Sequence, residues 1–163
     1  MTINVPTTLQ YHKAMPISKL SRSVMINAPA EYVWTTLKAF SGNEKFNPLV
    51  TSSSLEGDGV GCKRVCYVTV DGGKTESETI EVLTSLNEDD RTMAYRVLSA
   101  PNTPFEGLVN NISVRQGEGA DRCIVEFTGS FEAEDEKSRT EMNKILQSTY
   151  EGILNGLKKM HET

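Results

Sequence analysis

The stretch that decides the fold is Asp135–Glu162, which reads DEKSRTEMNKILQSTYEGILNGLKKMHE. Acidic residues begin it, and Lys158 and Lys159 lie near its end, so both ends suit the dipole of a helix. Its apolar residues recur every three or four positions, as on one helical face. These residues are Met142, Ile145, Leu146, Ile153, Leu157 and Met160. The pattern predicts one long helix of roughly 40 Å, at ~1.5 Å per residue.

Three small residues, Thr149, Gly152 and Gly156, fall inside this apolar stripe. A glycine in a helix interior costs about 1 kcal/mol relative to alanine, so two glycines on the buried face need a structural reason. Either the helix backbone packs closely against a sheet, or a thinned helix leaves a hollow above the sheet. We favour the hollow.

The length and composition predict one globular domain, residues 17–163, preceded by a flexible leader, residues 1–16. The net charge of −5 argues against nucleic acid or an anionic membrane surface as partner. No apolar run is long enough to cross a membrane, and the leader lacks the pattern of a signal peptide. We therefore expect a cytoplasmic protein without membrane insertion.

The three cysteines are Cys62, Cys66 and Cys123. The first two lie about 13 Å apart if they share one strand, whereas a disulfide requires Cα atoms within ~7 Å. The only histidines, His12 and His161, lie at opposite ends of the chain and form no metal-ligand cluster. Free, reduced cysteines are therefore expected, with no metal and no cofactor, since nucleotide-binding motifs are also missing from the sequence.

A strand at Lys19–Asn27 is predicted to lead into a short helix. Asn27 is its candidate cap and Pro29 its first helical residue. The buried face of this helix is predicted to be Ala30, Val33, Trp34 and Leu37, with Trp34 in the core. Turn residues then separate further strands, at Cys62–Val70, Lys74–Leu86, Thr92–Leu98, Gly107–Gln116 and Cys123–Glu132. This order predicts an α+β fold in which an antiparallel meander curls around the terminal helix.

Alternation along each strand assigns its side chains to two faces of the sheet. The inward sets are predicted to be Cys62, Arg64, Cys66, Val68 and Val70; Glu76, Glu78, Ile80 and Val82; Met93, Tyr95 and Val97; Leu108, Asn110, Ile112 and Val114; and Cys123, Val125, Phe127, Gly129 and Phe131.

Four polar residues in these sets stand out: Arg64, Glu78, Tyr95 and Asn110. An unpaired polar group in a packed core costs several kcal/mol, whereas a few polar groups in a hollow can orient a mostly apolar ligand. Alternatively, Arg64 and Glu78 form an ion pair with each other, and Tyr95 and Asn110 are satisfied core residues.

The predicted ligand site combines the inward strand residues with the small residues of the helix. Its members are Asn47, Arg64, Cys66, Val68, Glu78, Ile80, Tyr95, Leu108, Asn110, Phe127, Thr149, Gly152, Ile153 and Gly156. No histidine is placed to act as a general base. Glu78 and Tyr95 are the candidates for proton transfer, and catalytic residues otherwise stay unassigned.

The stretch Asn27–Trp34, followed by Phe40 and by Phe46-Asn47-Pro48, resembles the opening of the START-like, or SRPBCC, superfamily. More narrowly, the chain is similar to the polyketide cyclase/dehydrase-like group, which includes the MxaD-like proteins. The resemblance runs over about Ile17–Met160. It implies a helix-grip fold, in which a seven-stranded antiparallel sheet wraps around a long C-terminal helix, with two short helices after the first strand. It also implies a hydrophobic cavity for lipids, sterols, hormones or polyketides.

The chain also resembles the plant abscisic-acid receptors distantly. In that resemblance, Arg64 and Glu78 take the places of an arginine and a glutamate that face the ligand, and Asn47 stands where those receptors have a lysine. Many family members carry tryptophan and histidine where this chain has Phe46 and Asn47, which removes a candidate base.

The leading hypothesis is a carrier or sensor for a small, mostly apolar molecule such as a lipid, a polyketide or a hormone-like compound. The alternative is a cyclase, aromatase or dehydratase acting on a polyketide-like substrate. As a third hypothesis, the loops Asp71–Gly73 and Ala100–Pro104 close over the ligand and dock a protein partner or a second copy of the chain. A fold hosts many functions, so the resemblance does not choose among them.

Overall fold

The computed structural model describes residues 16–162. Its strands are β1 (Ile17–Ile26), β2 (Val50–Glu56), β3 (Lys63–Val70), β4 (Thr75–Asn87), β5 (Thr92–Ser99), β6 (Val109–Gln116) and β7 (Cys123–Glu132). Its helices are α1 (Ala30–Lys38) and α2 (Glu136–His161), with 3-10 turns at Asn43–Lys45 and Asp71–Gly73. Of the predicted leader, residues 1–15 lie outside the described residues.

The strands form one seven-stranded antiparallel sheet in the order β1-β7-β6-β5-β4-β3-β2. Helix α2 packs across this sheet, and the hydrophobic core lies between them, with α1 closing one end. The predicted helix-grip fold is confirmed. The places of the two short helices expected after the first strand are taken by α1 and by the 3-10 turn Asn43–Lys45. The sequence pattern does not predict strand β2, because the edge sequence VTSSSLE has no clear alternation.

Helix α2 begins and ends within one residue of the prediction. Asp135 is the N-cap, and its side chain accepts a hydrogen bond of 2.8 Å from the backbone N–H of Ser138. The buried face contains Met142, Leu146, Tyr150, Ile153, Leu154 and Leu157. Ile145 and Met160, predicted in the stripe, are 40% and 37% exposed, because they lie on its flank.

The buried face of α1 is confirmed: Ala30, Val33, Trp34 and Leu37 are buried. The predicted cap is wrong. Pro29 occupies the N-cap position, and no side chain caps the helix. The backbone N–H of Asn27 instead donates to Glu162 Oε1 at 2.9 Å, tying the end of β1 to the end of α2.

The inward face predicted for β4 is wrong by one residue. Its buried side chains are Ser77, Thr79, Glu81 and Leu83; Glu76 and Glu78 are exposed, and Ile80 and Val82 are only half-buried. The prediction placed the more apolar set inside, but here the inward face carries polar groups because it borders a hollow. The inward faces of β5, β6 and β7 are confirmed, as are Cys62, Arg64 and Cys66 in and beside β3.

The two glycines of α2 have a different role from the one predicted. A Cβ atom on Gly156 would overlap the carbonyl oxygen of Phe46, and one on Gly152 would lie 3.2 Å from Cγ of Pro48. The helix is therefore thinned so that the segment Phe46–Pro48 can approach its backbone. Neither glycine lines the hollow.

Gly156→Ala is expected to lower the free energy of unfolding by about 2–3 kcal/mol, because the new methyl group meets a backbone carbonyl that cannot move freely. This loss would appear despite the helix propensity of alanine, which favours it over glycine by about 1 kcal/mol. Urea denaturation followed by the fluorescence of Trp34 measures the difference.

Gly152→Ala is the matched control, since its nearest neighbour is the side chain of Pro48. It is expected to stay within about 1 kcal/mol of the wild type. Equal destabilisation by the two substitutions would contradict the close approach at Gly156.

Candidate functional site

A hollow of about 90 Å³ lies between the inner face of the sheet and the middle of α2. Among its lining residues are eight from the predicted site: Asn47, Cys66, Val68, Tyr95, Leu108, Asn110, Thr149 and Ile153.

The other predicted site residues lie elsewhere. Arg64 and Phe127 border a small adjoining space of about 20 Å³ towards the end of α1. Glu78 and Ile80 lie on the outer face of β4, because the inner face is one residue out of phase with the prediction. Gly152 and Gly156 lie against the Phe46–Pro48 segment and not against the hollow.

Sequence reasoning missed several residues of the hollow, chiefly Asn43, Thr79, Glu81, Leu146 and Tyr150. A count from the predicted turn does not identify Glu81, because equal numbers of residues outward from Asp71–Gly73 place Arg64 opposite Ile80. In the observed register Val70 pairs with Thr75, so Lys74 also belongs to the turn and Arg64 lies opposite Glu81.

Arg64 and Glu81 form a buried ion pair at the edge of the hollow. Nε and Nη2 of Arg64 both lie 2.9 Å from Oε1 of Glu81, and the two side chains are 7% and 10% exposed. Burial alone would lower the pKa of Arg64, but the negative charge of Glu81 outweighs it and the pKa is raised. Removing one partner of such a pair typically costs about 3–5 kcal/mol, because the other charge is left buried.

The same arginine holds the end of α1. Its Nη1 donates to the carbonyl oxygen of Phe40 at 2.9 Å, and its Cζ lies 4.1 Å from the centre of the Phe40 ring. Phe40 has a left-handed backbone with φ of 62°, a conformation that costs about 1–2 kcal/mol for a residue with a side chain. The hydrogen bond and the cation–π contact help to offset that cost.

Cys66 and Asn43 extend this polar cluster into the hollow. Sγ of Cys66 lies 3.4 Å from Glu81 Oε1 and 3.5 Å from Nδ2 of Asn43. Burial, reinforced by the charge of Glu81, raises the pKa of the Cys66 thiol to about 12. The thiol therefore keeps its proton at neutral pH and is a poor nucleophile.

Two tyrosines complete the polar lining. Tyr150 donates a 2.6 Å hydrogen bond to Oδ1 of Asn110, and its ring packs edge-to-face on Phe127 with centroids 5.4 Å apart. Burial raises the pKa of both Tyr150 and Tyr95, so both stay protonated at neutral pH. The hollow thus offers protonated hydroxyls, amides and a thiol around one carboxylate.

A second, wider space of about 570 Å³ forms a groove beside the N-terminal end of α2. Leu108 borders both the groove and the hollow. On α2, Met142 lines the groove, and Leu146, one helical turn further along, lines the hollow. The two spaces therefore follow one another along the helix, separated by the side chain of Leu108.

Among residues 16–162, no three His, Cys, Asp or Glu side chains are grouped so that they could hold a metal ion. No helix in the same range is long and apolar enough to span a membrane.

Several solved structures share this architecture. The protein XoxI from Bacillus cereus is 24% identical, with 88% of this chain and 95% of that chain aligned and a TM-score of 0.73. The Zhui aromatase/cyclase from Streptomyces sp. R1128 is 20% identical over 90% of this chain and 94% of its own, with a TM-score of 0.70. A START superfamily protein from Mycobacterium smegmatis is 14% identical over 88% and 97%, with a TM-score of 0.74. At these identities the likeness establishes the fold alone.

The sequence model of the family described as polyketide cyclase/dehydrase and lipid transport matches residues 18–162, nearly the whole chain. This match confirms the resemblance drawn from the sequence motifs. The protein belongs to the polyketide cyclase/dehydrase and lipid transport family.

Proposed function

We propose that this protein binds a small, mostly apolar molecule between the sheet and α2, as a carrier or a sensor. The observation that carries the proposal is the hollow itself, where apolar side chains such as Val97, Leu108 and Ile153 surround a few polar groups. Sites that bind small molecules have this composition, with polar groups that fix the orientation of an otherwise apolar ligand. The family description, which includes lipid transport, agrees with it.

The size of the hollow sets a condition on binding. Typical ligand pockets measure roughly 300–1,000 Å³, well above the 90 Å³ observed. A larger ligand must displace the rim, where Thr103 and Phe105 border the hollow, or extend past Leu108 into the groove. Thr103 and Phe105 belong to the β5–β6 loop, so movement of this loop is the simplest route for entry.

Binding explains the residues better than the enzyme alternative does. Glu78, the first candidate for proton transfer, is exposed on the other face of β4. Burial raises the pKa of Tyr95, the second candidate, so it does not act as a base at neutral pH. The three free, buried cysteines fit a reducing compartment, and the proposal places the protein in the cytoplasm.

Filling the hollow should weaken binding. Thr149 is half-buried and lines the hollow, so Thr149→Phe should reduce the affinity for the uncharged fluorescent probe N-phenyl-1-naphthylamine by at least about tenfold. The loss follows because the ring would occupy the ligand's space. Fluorescence titration measures the affinity, and native mass spectrometry of freshly purified protein shows whether a co-purified molecule is lost as well.

Ser148→Phe is the matched control, since Ser148 is the preceding residue of α2 and is exposed. It should leave the affinity within about twofold of the wild type. If neither the wild type nor the control binds the probe or carries a co-purified molecule, the proposal is wrong.

Cys66 provides a second readout of the hollow. In a Cys62→Ala/Cys123→Ala variant it is the only thiol, and its pKa of about 12 leaves roughly a thousandfold less thiolate at pH 8 than an ordinary cysteine has. Alkylation of the folded protein should therefore be at least that much slower than in urea, and should accelerate about tenfold per pH unit up to pH 11.

A ligand in the hollow should slow the alkylation of Cys66 further, because Cys66 is part of its lining. Mass spectrometry of the modified protein gives the rates. Alkylation at equal rates in the folded and the urea-unfolded protein would contradict the buried, protonated state.

A further inference from the structure

We propose that the buried end of the ligand is an uncharged hydrogen-bond donor, such as a hydroxyl or N–H group, and that Glu81 is its acceptor. This inference rests on the binding function proposed above and names the chemistry of the ligand.

The two carboxylate oxygens of Glu81 have different environments. Oε1 receives Nε and Nη2 of Arg64 at 2.9 Å and faces Sγ of Cys66 at 3.4 Å. Within the described part of the chain, Oε2 has no hydrogen-bond partner. Glu81 is only 8% exposed and lines the hollow. Because Oε2 has no partner and yet is not a fully buried atom, it is the part of the carboxylate that an entering molecule can reach. A ligand that supplies a donor to Oε2 gains a charge-assisted hydrogen bond.

An anionic group at the buried end of the ligand is disfavoured because the described residues around the hollow offer it no free cation. Arg64 directs two nitrogens to Glu81 and the third to the carbonyl oxygen of Phe40, and its plane lies against the rings of Phe40 and Tyr95. The described residues that line the hollow include no lysine, arginine or histidine. A carboxylate entering the hollow would therefore add a second negative charge beside Glu81 and lose its hydration without compensation.

A cationic ligand is disfavoured by the same balance. The charge of Glu81 is already matched by Arg64, with which it shares two contacts of 2.9 Å. An ammonium group would leave an excess positive charge in a buried space, and the free energy of desolvating that charge exceeds the free energy gained from its contact with Glu81. A neutral donor avoids both penalties and satisfies Oε2.

Four single-ring probes of similar size test the inference on the wild-type protein: phenol, anisole, toluene and benzoate. Phenol can donate a hydrogen bond, anisole and toluene cannot, and benzoate is an anion at pH 7. Affinities come from ligand-induced shifts of the melting temperature, and methyl resonances of Ile153 and Val97 locate binding in the hollow. Phenol should bind about ten- to a hundredfold more tightly than anisole or toluene, and benzoate most weakly.

The double variant Arg64→Met/Glu81→Leu tests the assignment of the acceptor. It replaces the ion pair by apolar side chains of similar size, a change that buried pairs often tolerate without unfolding. Phenol should then lose its advantage over anisole, to within about twofold, while toluene still binds. Glu78→Gln, on the exposed face of the same strand, should keep the wild-type preference.

Three outcomes would overturn the inference. Equal binding of all probes, or tightest binding of benzoate, would refute the neutral donor and leave the binding function intact. A phenol preference that survives in the double variant would show that Glu81 is not the acceptor. No shift in melting temperature or in the hollow resonances with any probe would refute the binding function as well.

Discussion

The rest of the structure depends on the buried ion pair of Arg64 and Glu81. Either charge alone would be unfavourable in a low-dielectric interior, and the register of β3 and β4 places Arg64 directly opposite Glu81, so that the pair forms. Arg64 also binds the carbonyl of Phe40, whose left-handed backbone ends the segment after α1. The Arg64 side chain thus joins two strands and the end of α1 at the border of the hollow.

Close backbone approach is the second constraint. At Gly156 the missing side chain admits the carbonyl of Phe46, and at Gly129 of β7 it admits the side chains of Tyr150 and Leu146. These contacts bring α2 near the sheet and near the segment that carries Asn43 and Asn47. The hollow is the space left between the two contacts, where the helix presents Thr149 and Ile153. The position of the hollow therefore follows from where α2 contacts the sheet and the Phe46–Pro48 segment.

The titratable groups around the hollow keep their protons at neutral pH. Burial raises the pKa of Cys66, Tyr95 and Tyr150, so the only negative charge in the described lining is that of Glu81. The chain shares its fold with an aromatase/cyclase and its family with lipid-transport proteins, and the same scaffold serves both kinds of function. The proposal that this chain recognises a neutral molecule rests on the charge balance around Glu81.

The sequence by itself determined the elements: the apolar period of α2, the charges at its two ends, the strand turns and the inward faces of β5 to β7 follow from local rules that the structure keeps. Eight residues of the hollow were also identified in this way. The face of β4 and the partner of Arg64 were decided by tertiary structure, because a strand that borders a hollow turns Thr79 and Glu81 inward and leaves Ile80 outside. The role of Gly156 was likewise decided there, since a glycine that leaves space and one that admits a distant backbone look the same along the chain.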